Sequence, residues 1–249
     1  MLKASVRKLA RKCGYEILGP SRAYATQRSL AKLLQQEGIN LVLDVGANSG
    51  QFGSELRASR YDGRIISFEP QSSAHAELKR RTANDPGWTV ADRTAIGAQL
   101  GSVNIHISEN SVSSSILSML PAHSDAAPES HYVDMETVPV NTLDNLCSFG
   151  PADRVALKID VQGYERQVLE GAPRVLDRCL VVIAEMSFVP LYDGQVLARE
   201  FWDVLAAEGF AVWSLEPGFR HPKTGRMLQV DGVSFRCKEG RNQEGAGRP

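Results

Sequence analysis

The sequence predicts an α/β domain: a doubly wound, mostly parallel sheet with an antiparallel strand near the C-terminal end. Three observations carry the prediction. Apolar β-like runs alternate with helical stretches along most of the chain, the pattern that builds βαβ units. The first run, LVLDV, passes straight into the glycine-bearing turn GANSG and then into helix-forming sequence. Four acids, Asp44, Glu69, Asp160 and Glu185, fall at the carboxyl ends of four different predicted strands, which is where open α/β sheets bind ligands.

In chain order, a strand over 40–45 leads through the turn to a helix over 51–60. Gly46 and Gly50 supply turn geometry and missing side-chain bulk that other residues could not. A second strand, 64–68, ends at Glu69 and Pro70 and is followed by a helix over 73–81. Short β-like runs at 88–91 and 103–108 precede an irregular stretch, 109–131, rich in Ser, His, Ala and Pro. That stretch is a candidate lid or substrate loop. Strands over 138–143 and 154–159 come next, the second closing on Asp160, and a helix is expected over 164–176. A buried strand, 180–184, ends at Glu185, and a helix over 196–208 leads to strands at 211–215 and 232–236 that are expected to pair antiparallel.

At 249 residues the chain supports one sizeable core, and no repeat or interdomain linker interrupts it. The expected division is an N-terminal helical segment over 1–38, one domain over 39–238 and a polar, glycine-rich tail over 239–249 that is expected to be disordered. The opening residues MLKASVRKLARK carry Lys3, Arg7, Lys8, Arg11 and Lys12 with no acid, and Leu2, Val6, Leu9 and Cys13 fall at helical spacing. Such a basic amphipathic helix either caps the domain edge or rests on an anionic membrane surface.

With 28 Lys+Arg against 29 Asp+Glu the net charge is -1, so no basic field points to nucleic acid as a partner. The four cysteines are scattered without a C-x-x-C pair, which argues against a zinc knuckle or a disulfide framework. Free thiols in a reducing compartment are the expectation. The sequence has no spanning apolar run of about eighteen residues and no secretory h-region. A cytoplasmic protein, peripheral to a membrane if the basic helix binds one, is therefore expected.

The turn narrows the ligand. DVGANSGQFG departs from G-x-G-x-x-G because Asn48 stands where the second glycine would let a pyrophosphate approach the backbone. Glu69 follows Gly46 by roughly twenty residues, the separation at which a carboxylate reaches ribose hydroxyls. There is also no G-x-x-x-x-G-K-[ST] run. Ribose without pyrophosphate fits S-adenosylmethionine, whose positive sulfonium suits an acidic rim. A nicotinamide-dependent oxidoreductase and a non-catalytic cofactor-binding module are the alternatives, and the broken glycine signature counts against the first.

The motifs DVGANSGQF, ISFEP, SSSIL, NTLDNL, LKIDVQGYERQVLEGA and IAEM occur in this order over about residues 40–190. In this the chain resembles the FkbM-type methyltransferases. The resemblance implies a class I methyltransferase, Rossmann-like fold and S-adenosylmethionine as cofactor. It also implies O-methylation of a hydroxyl, here on a saccharide or glycolipid acceptor. Carried over by motif, Asp44, Gly46, Asn48 and Gly50 form the cofactor loop, Glu69 binds the ribose, and Asp92 sits near the adenine amine. Lys158, Asp160 and Gly163 match the strand-end motif, but Gln162 replaces the usual glutamate. Hard cations favour charged oxygen ligands, so a metal-free site is expected.

A sugar hydroxyl is very weakly acidic, so methyl transfer to it calls for a general base. Asp160 is the first candidate, because strand-end position and motif agree. His131, on the irregular stretch, is the second, with an ordinary pKa near 6.5. Ser114 and Ser115, with Ser113 beside them, are candidates to hydrogen-bond sugar or methionine groups. Glu185 is a candidate to orient the acceptor, its structural alternative being a pair with a nearby Arg. Glu165, at the start of a helix, suits the helix dipole.

Overall fold

The computed structural model describes residues 27–237. The basic segment at the start of the chain and the expected disordered tail lie outside the described residues. Helix α1 (Gln27–Gln36) falls within the segment expected to be helical over 1–38 and leads to β1 (Leu41–Val45), an inner strand of the sheet, buried along its whole length. After β1 come α2 (Gln51–Ala58), β2 (Arg64–Phe68), α3 (Ser72–Thr82) and β3 (Trp88–Val90). The chain then forms β4 (Ala95–Ile96), β5 (Gly101–Ser108), the short α4 (Pro121–Ser124), β6 (Tyr132–Asn141) and α5 (Leu143–Leu146). It closes with β7 (Val155–Ile159), α6 (Glu165–Glu170), α7 (Pro173–Arg178), β8 (Cys179–Ser187), α8 (Ala198–Ala207), β9 (Phe210–Pro217) and β10 (Gln229–Arg236).

The main sheet has the strand order β3-β2-β1-β7-β8-β10-β9. Pairs from β3 through β8 are parallel, whereas β10 enters antiparallel between β8 and β9. The chain winds outward from β1 in one direction and later from β7 in the other. The carboxyl ends of β1 and β7 therefore flank the switch point, where a ligand crevice opens. Period-2 alternation divides the core. Leu41, Leu43, Leu157 and Ile159 pack on one face with Val168, Phe201 and Leu205, while Val42, Ala156 and Ile183 pack on the other with Leu34 and Leu56. Each such buried leucine contributes about 1.5–3 kcal/mol.

Three expectations are corrected. The helix expected over 164–176 is two helices, because a Cβ at Gly171 would lie 2.0 Å from the Gly97 carbonyl oxygen, and Pro173 then starts α7. The strand expected over 138–143 runs from Tyr132 to Asn141 in a separate sheet of order β4-β6-β5. The third concerns β8, which continues past Ala184 because β10 pairs with it as far as Ser187; Glu185 thus lies within a strand. Ile159 of β7 is level with Ala184, so Glu185 still emerges at the rim beyond the end of β7. No helix among the described residues is long and apolar enough to cross a membrane. Cys147, Cys179 and Cys237 are free.

Candidate active site

The turn after β1 is built around backbone conformations that few residues adopt. Gly46 and Gly50 have φ of 76° and 87°. A Cβ on Gly46 would stand 1.8 Å from the Asp160 carbonyl oxygen, so only glycine lets the turns after β1 and β7 meet. Asn48 has φ 46°, a left-handed conformation that asparagine tolerates. Its backbone N–H donates to Glu69 Oε2 at 2.6 Å, and the Gln71 N–H donates to Glu69 Oε1 at 2.8 Å. These bonds lock the carboxylate at the end of β2 against the turn. Glu69 is buried, and burial pushes its pKa up to about 7 despite the two N–H donors.

Lys158 forms the second layer. Alternation along β7 puts it on the same face as Asp160. Its ammonium lies 3.3 Å from Asp44 Oδ1, 3.4 Å from Asp160 Oδ2 and 3.1 Å from the Gly46 carbonyl oxygen. Burial alone would lower the Lys158 pKa, but Asp160 and Asp44 outweigh it and push it up, so the ammonium stays charged. Asp44 is fully buried; desolvation raises its pKa and Lys158 pulls it back. It also accepts from Ser67 Oγ at 3.2 Å, and Trp88 Nε1 in turn donates to that oxygen at 2.9 Å.

A cleft of about 1140 Å³ opens over these groups. Glu69, Asp160 and Glu185 line it, together with Gly46 and Asn48 of the turn, whereas Asp44 stands behind the wall and acts on it through Lys158. Beyond Asp160 the wall is acidic across three strands. Glu185 is in register with Asp231 of β10, and Asp231 with Glu216 of β9. Burial and the neighbouring charges of Asp160, Asp231 and Glu165 push Glu185 well above the usual carboxylate range, and burial takes Asp231 to about 6.

The other candidates divide. Ser114 and Ser115 line the cleft, but their hydroxyls bind protein: Ser114 Oγ donates to Gln71 Oε1 at 3.1 Å and Ser115 Oγ to the Gln162 carbonyl oxygen at 2.6 Å. Both bonds tie residues of the irregular stretch to the turns that follow β2 and β7. His131 is exposed, 3.6 Å from Glu109 Oε2, and does not line the cleft. Asp92 is exposed just past β3 and also stands outside the wall, where Thr94 and Ala95 are found instead. Glu165 accepts from the backbone N–H groups of Gly163 and Val161, at 2.9 and 3.3 Å, so it braces the turn that leads into α6. Glu185 has two amide partners, Gln162 and Gln229, in place of an Arg.

Sequence reasoning matched Lys158 to a motif without giving it a role, although its position two residues before Asp160 was a usable signal. Gln229 and Asp231 gave none, because only the insertion of β10 beside β8 brings them to the rim. Among the described residues no group of three or more His, Cys, Asp or Glu side chains gathers as a metal site would.

The family described as the methyltransferase FkbM domain matches residues 44–212, more than half of the chain. The 2-O-methyltransferase NoeI of Sinorhizobium fredii (strain NBRC 101917 / NGR234) is 24% identical over 213 residues, covering 82% of this chain and 86% of that protein. Solved structures with a similar course include a TehB-like SAM-dependent methyltransferase from Corynebacterium glutamicum, 12% identical with a TM-score of 0.40, covering 94% of this chain and 96% of that one. Another is the methyltransferase domain of bacterial CtHen1, 13% identical with a TM-score of 0.45, covering 85% and 97%. The family match sets aside the oxidoreductase alternative. The chain belongs to the FkbM family of S-adenosylmethionine-dependent methyltransferases, and its doubly wound sheet with an antiparallel C-terminal strand is the class I methyltransferase fold.

Proposed function

We propose that the protein is an O-methyltransferase that moves the methyl group of S-adenosylmethionine to a hydroxyl of a saccharide or glycolipid acceptor. The observation that carries this reading is the placement of Glu69 and Asp160 on either side of the turn after β1, both lining one cleft. The relative named as a 2-O-methyltransferase supports oxygen as the acceptor atom.

The residues present fit this cofactor. Glu69 is a buried carboxylate with one N–H on each oxygen, and a carboxylate has about four acceptor sites. Two sites therefore remain for vicinal ribose hydroxyls. A pyrophosphate fits poorly, because the Lys158 ammonium beside the Gly46 carbonyl is already held by two carboxylates. Gly46 and Asn48 let the cofactor approach the backbone, Gly50 shapes the turn from behind, buried against Leu78 and Trp88, Asp44 sets their frame through Lys158, and Asp92 is assigned to the adenine edge on motif alone. When bound, S-adenosylmethionine supplies an electrophilic methyl group on a sulfonium.

The chain's own groups then do the rest. The acceptor oxygen has to lie in line with the breaking bond, and alignment with exclusion of water supplies much of the barrier reduction. Asp160 takes the hydroxyl proton as the new bond forms. Its pairing with Lys158 holds the carboxylate in place at the edge of the cleft. Glu185, Asp231 and Glu216 offer a row of hydrogen-bond acceptors to the remaining hydroxyls of a polyhydroxylated acceptor. Ser114 and Ser115 shape the wall beside them. The site needs no metal in this scheme. The basic residues between Lys3 and Lys12 support peripheral contact with an anionic membrane if the acceptor is lipid-linked.

Labelled S-adenosylmethionine and the purified protein, added to cell extract and followed by partition into lipid, polysaccharide and protein fractions, test the acceptor. Label in lipid or polysaccharide is expected. Label confined to protein would overturn the saccharide assignment.

A further inference from the structure

Gln162 occupies the position where the motif ordinarily carries glutamate, and its surroundings give the amide a defined task. Nε2 lies 2.8 Å from Asp160 Oδ1 and 2.8 Å from Glu185 Oε2. The other end of the amide, Oε1, accepts from the Tyr192 hydroxyl at 2.8 Å. An amide nitrogen only donates and an amide oxygen only accepts, so two carboxyl oxygens on one side and a hydroxyl on the other fix which way the amide points. Each of its two N–H bonds serves a different carboxylate. Tyr192 is fully buried and its backbone is anchored, since its N–H donates to Gln195 Oε1 at 2.7 Å. The backbone of Gln162 is held as firmly. It has φ 53°, in the left-handed region, and its carbonyl oxygen takes the Ser115 hydroxyl at 2.6 Å. A non-glycine residue kept in this conformation is stabilised by its surroundings.

We propose that Gln162 is a positioning residue for methyl transfer, a neutral clamp that holds the Asp160 and Glu185 carboxylates side by side in one orientation toward the acceptor. The inference rests on the assignment of Asp160 as the base. Two carboxylates within two hydrogen-bond lengths of each other repel, and the charge of Asp160 resists ionisation of Glu185. The groups facing the pair leave that repulsion uneven. Lys158 compensates Asp160 and is shared with Asp44, while Glu185 meets Asp231 from β10, Glu165 from α6 and the Tyr192 ring without a cation partner among the described side chains. Gln229 Nε2, 2.6 Å from Glu185 Oε2, is a further donor to this corner. The Gln162 amide thus stands where a bridging cation would otherwise be called for, and it does so without adding charge. A glutamate there would remove both donors and add a further carboxylate to the corner.

The test uses the full chain with Gln162→Ala, Gln162→Glu and Tyr192→Phe. Without any acceptor, carbon-13 carboxyl titration should show the apparent pKa of Glu185 moving upward in Gln162→Ala, and further in Gln162→Glu. Calorimetry with S-adenosylmethionine should give affinities within about twofold of wild type, since the cofactor contacts are elsewhere. With the extract fraction that takes label from the wild-type protein, turnover should fall about 10–100-fold in both Gln162 variants, the size expected for lost hydrogen bonds to charged groups. The acid limb of its pH profile should move up. Tyr192→Phe should cost only about 2–5-fold, because the carboxylates still select the nitrogen end of the amide; it also serves if a Gln162 variant does not fold. A lowered melting temperature with unchanged carboxyl titration would make Gln162 merely structural and overturn the proposal. If the wild-type protein labels no fraction, the functional assignment fails, and the carboxyl titration still decides the clamp.

Discussion

Removing the Glu69 carboxylate should weaken S-adenosylmethionine binding by about a hundredfold. The magnitude follows from the geometry. Glu69 is 2% exposed and gives one lone pair on each oxygen to a backbone N–H, at 2.6 and 2.8 Å, leaving about two acceptor sites for the ribose hydroxyls. A hydrogen bond to a charged group contributes about 1.5–3 kcal/mol. Loss of two, at the lower end because the hydroxyls regain water, comes to about 3 kcal/mol, or somewhat more than a hundredfold in Kd. The matching pH dependence has a fixed sign. Burial pushes Glu69 up to about 7, and hydroxyl donors bind its ionised form, so affinity falls as pH drops through that value. Between pH 8 and pH 6 the wild-type protein should lose about tenfold in affinity, whereas Glu69→Gln should be nearly flat. Isothermal titration of S-adenosylmethionine into wild-type, Glu69→Ala and Glu69→Gln proteins provides the assay, with thermal unfolding run alongside to confirm the fold. Wild-type affinity in the alanine variant, or the same pH slope in the glutamine variant and the wild type, would refute the reasoning.

Two further predictions concern stability. Lys158→Met strands Asp44, which has no exposure, and deprives Asp160 of its counter-charge; breaking such a buried pair costs about 3–5 kcal/mol, or roughly 10 °C in melting temperature for a domain of this size. Adding Asp44→Asn should recover part of the loss, and a melting temperature within about 2 °C of wild type would contradict the buried-pair account. His123 is buried against Tyr192 and Phe219, with no hydrogen-bond partner for Nδ1, and burial pushes its pKa down to about 4 from the ordinary 6.5. The folded state therefore favours the neutral ring. Its contribution is complete above about pH 6.5 and is lost as pH falls toward 4, by up to about 3 kcal/mol. Urea unfolding at pH 7 and pH 4.5 should show a smaller acid loss in His123→Phe than in wild type; equal losses would count against it.

The parallel half of the fold was legible because its strands announce themselves locally. The strand of Leu41–Val45 is a short apolar run, and Gly46 marks the one place where the Asp160 backbone must come within reach of a missing Cβ. Glu69 was legible for the same reason, as the acid that follows an apolar strand by one residue. What stayed hidden depends on contacts distant in sequence. The run 132–137, YVDMET, alternates apolar with acidic residues but buries neither face, since Val133 and Met135 are exposed, and this part of β6 takes its order from β5. Gly171 reads as a tolerable helix residue until Gly97 is packed against it. His131 was the second candidate base, on the irregular stretch, yet it is exposed beside Glu109 and does not line the cleft, which no local pattern signals. Gln162 looked like a lost carboxylate. Its role emerges only when Glu185, Tyr192 and Asp160 are brought around it.

The central claim is that this cleft moves a methyl group to a hydroxyl with Asp160 as the base. A single-turnover measurement of labelled methyl transfer into the accepting extract fraction, comparing wild type with Asp160→Asn, addresses it most directly. Loss of a general base lowers the rate by about 10²–10⁴, so the variant should be slowed at least about a hundredfold while its S-adenosylmethionine affinity stays within about twofold. Transfer by Asp160→Asn at close to the wild-type rate would contradict the claim.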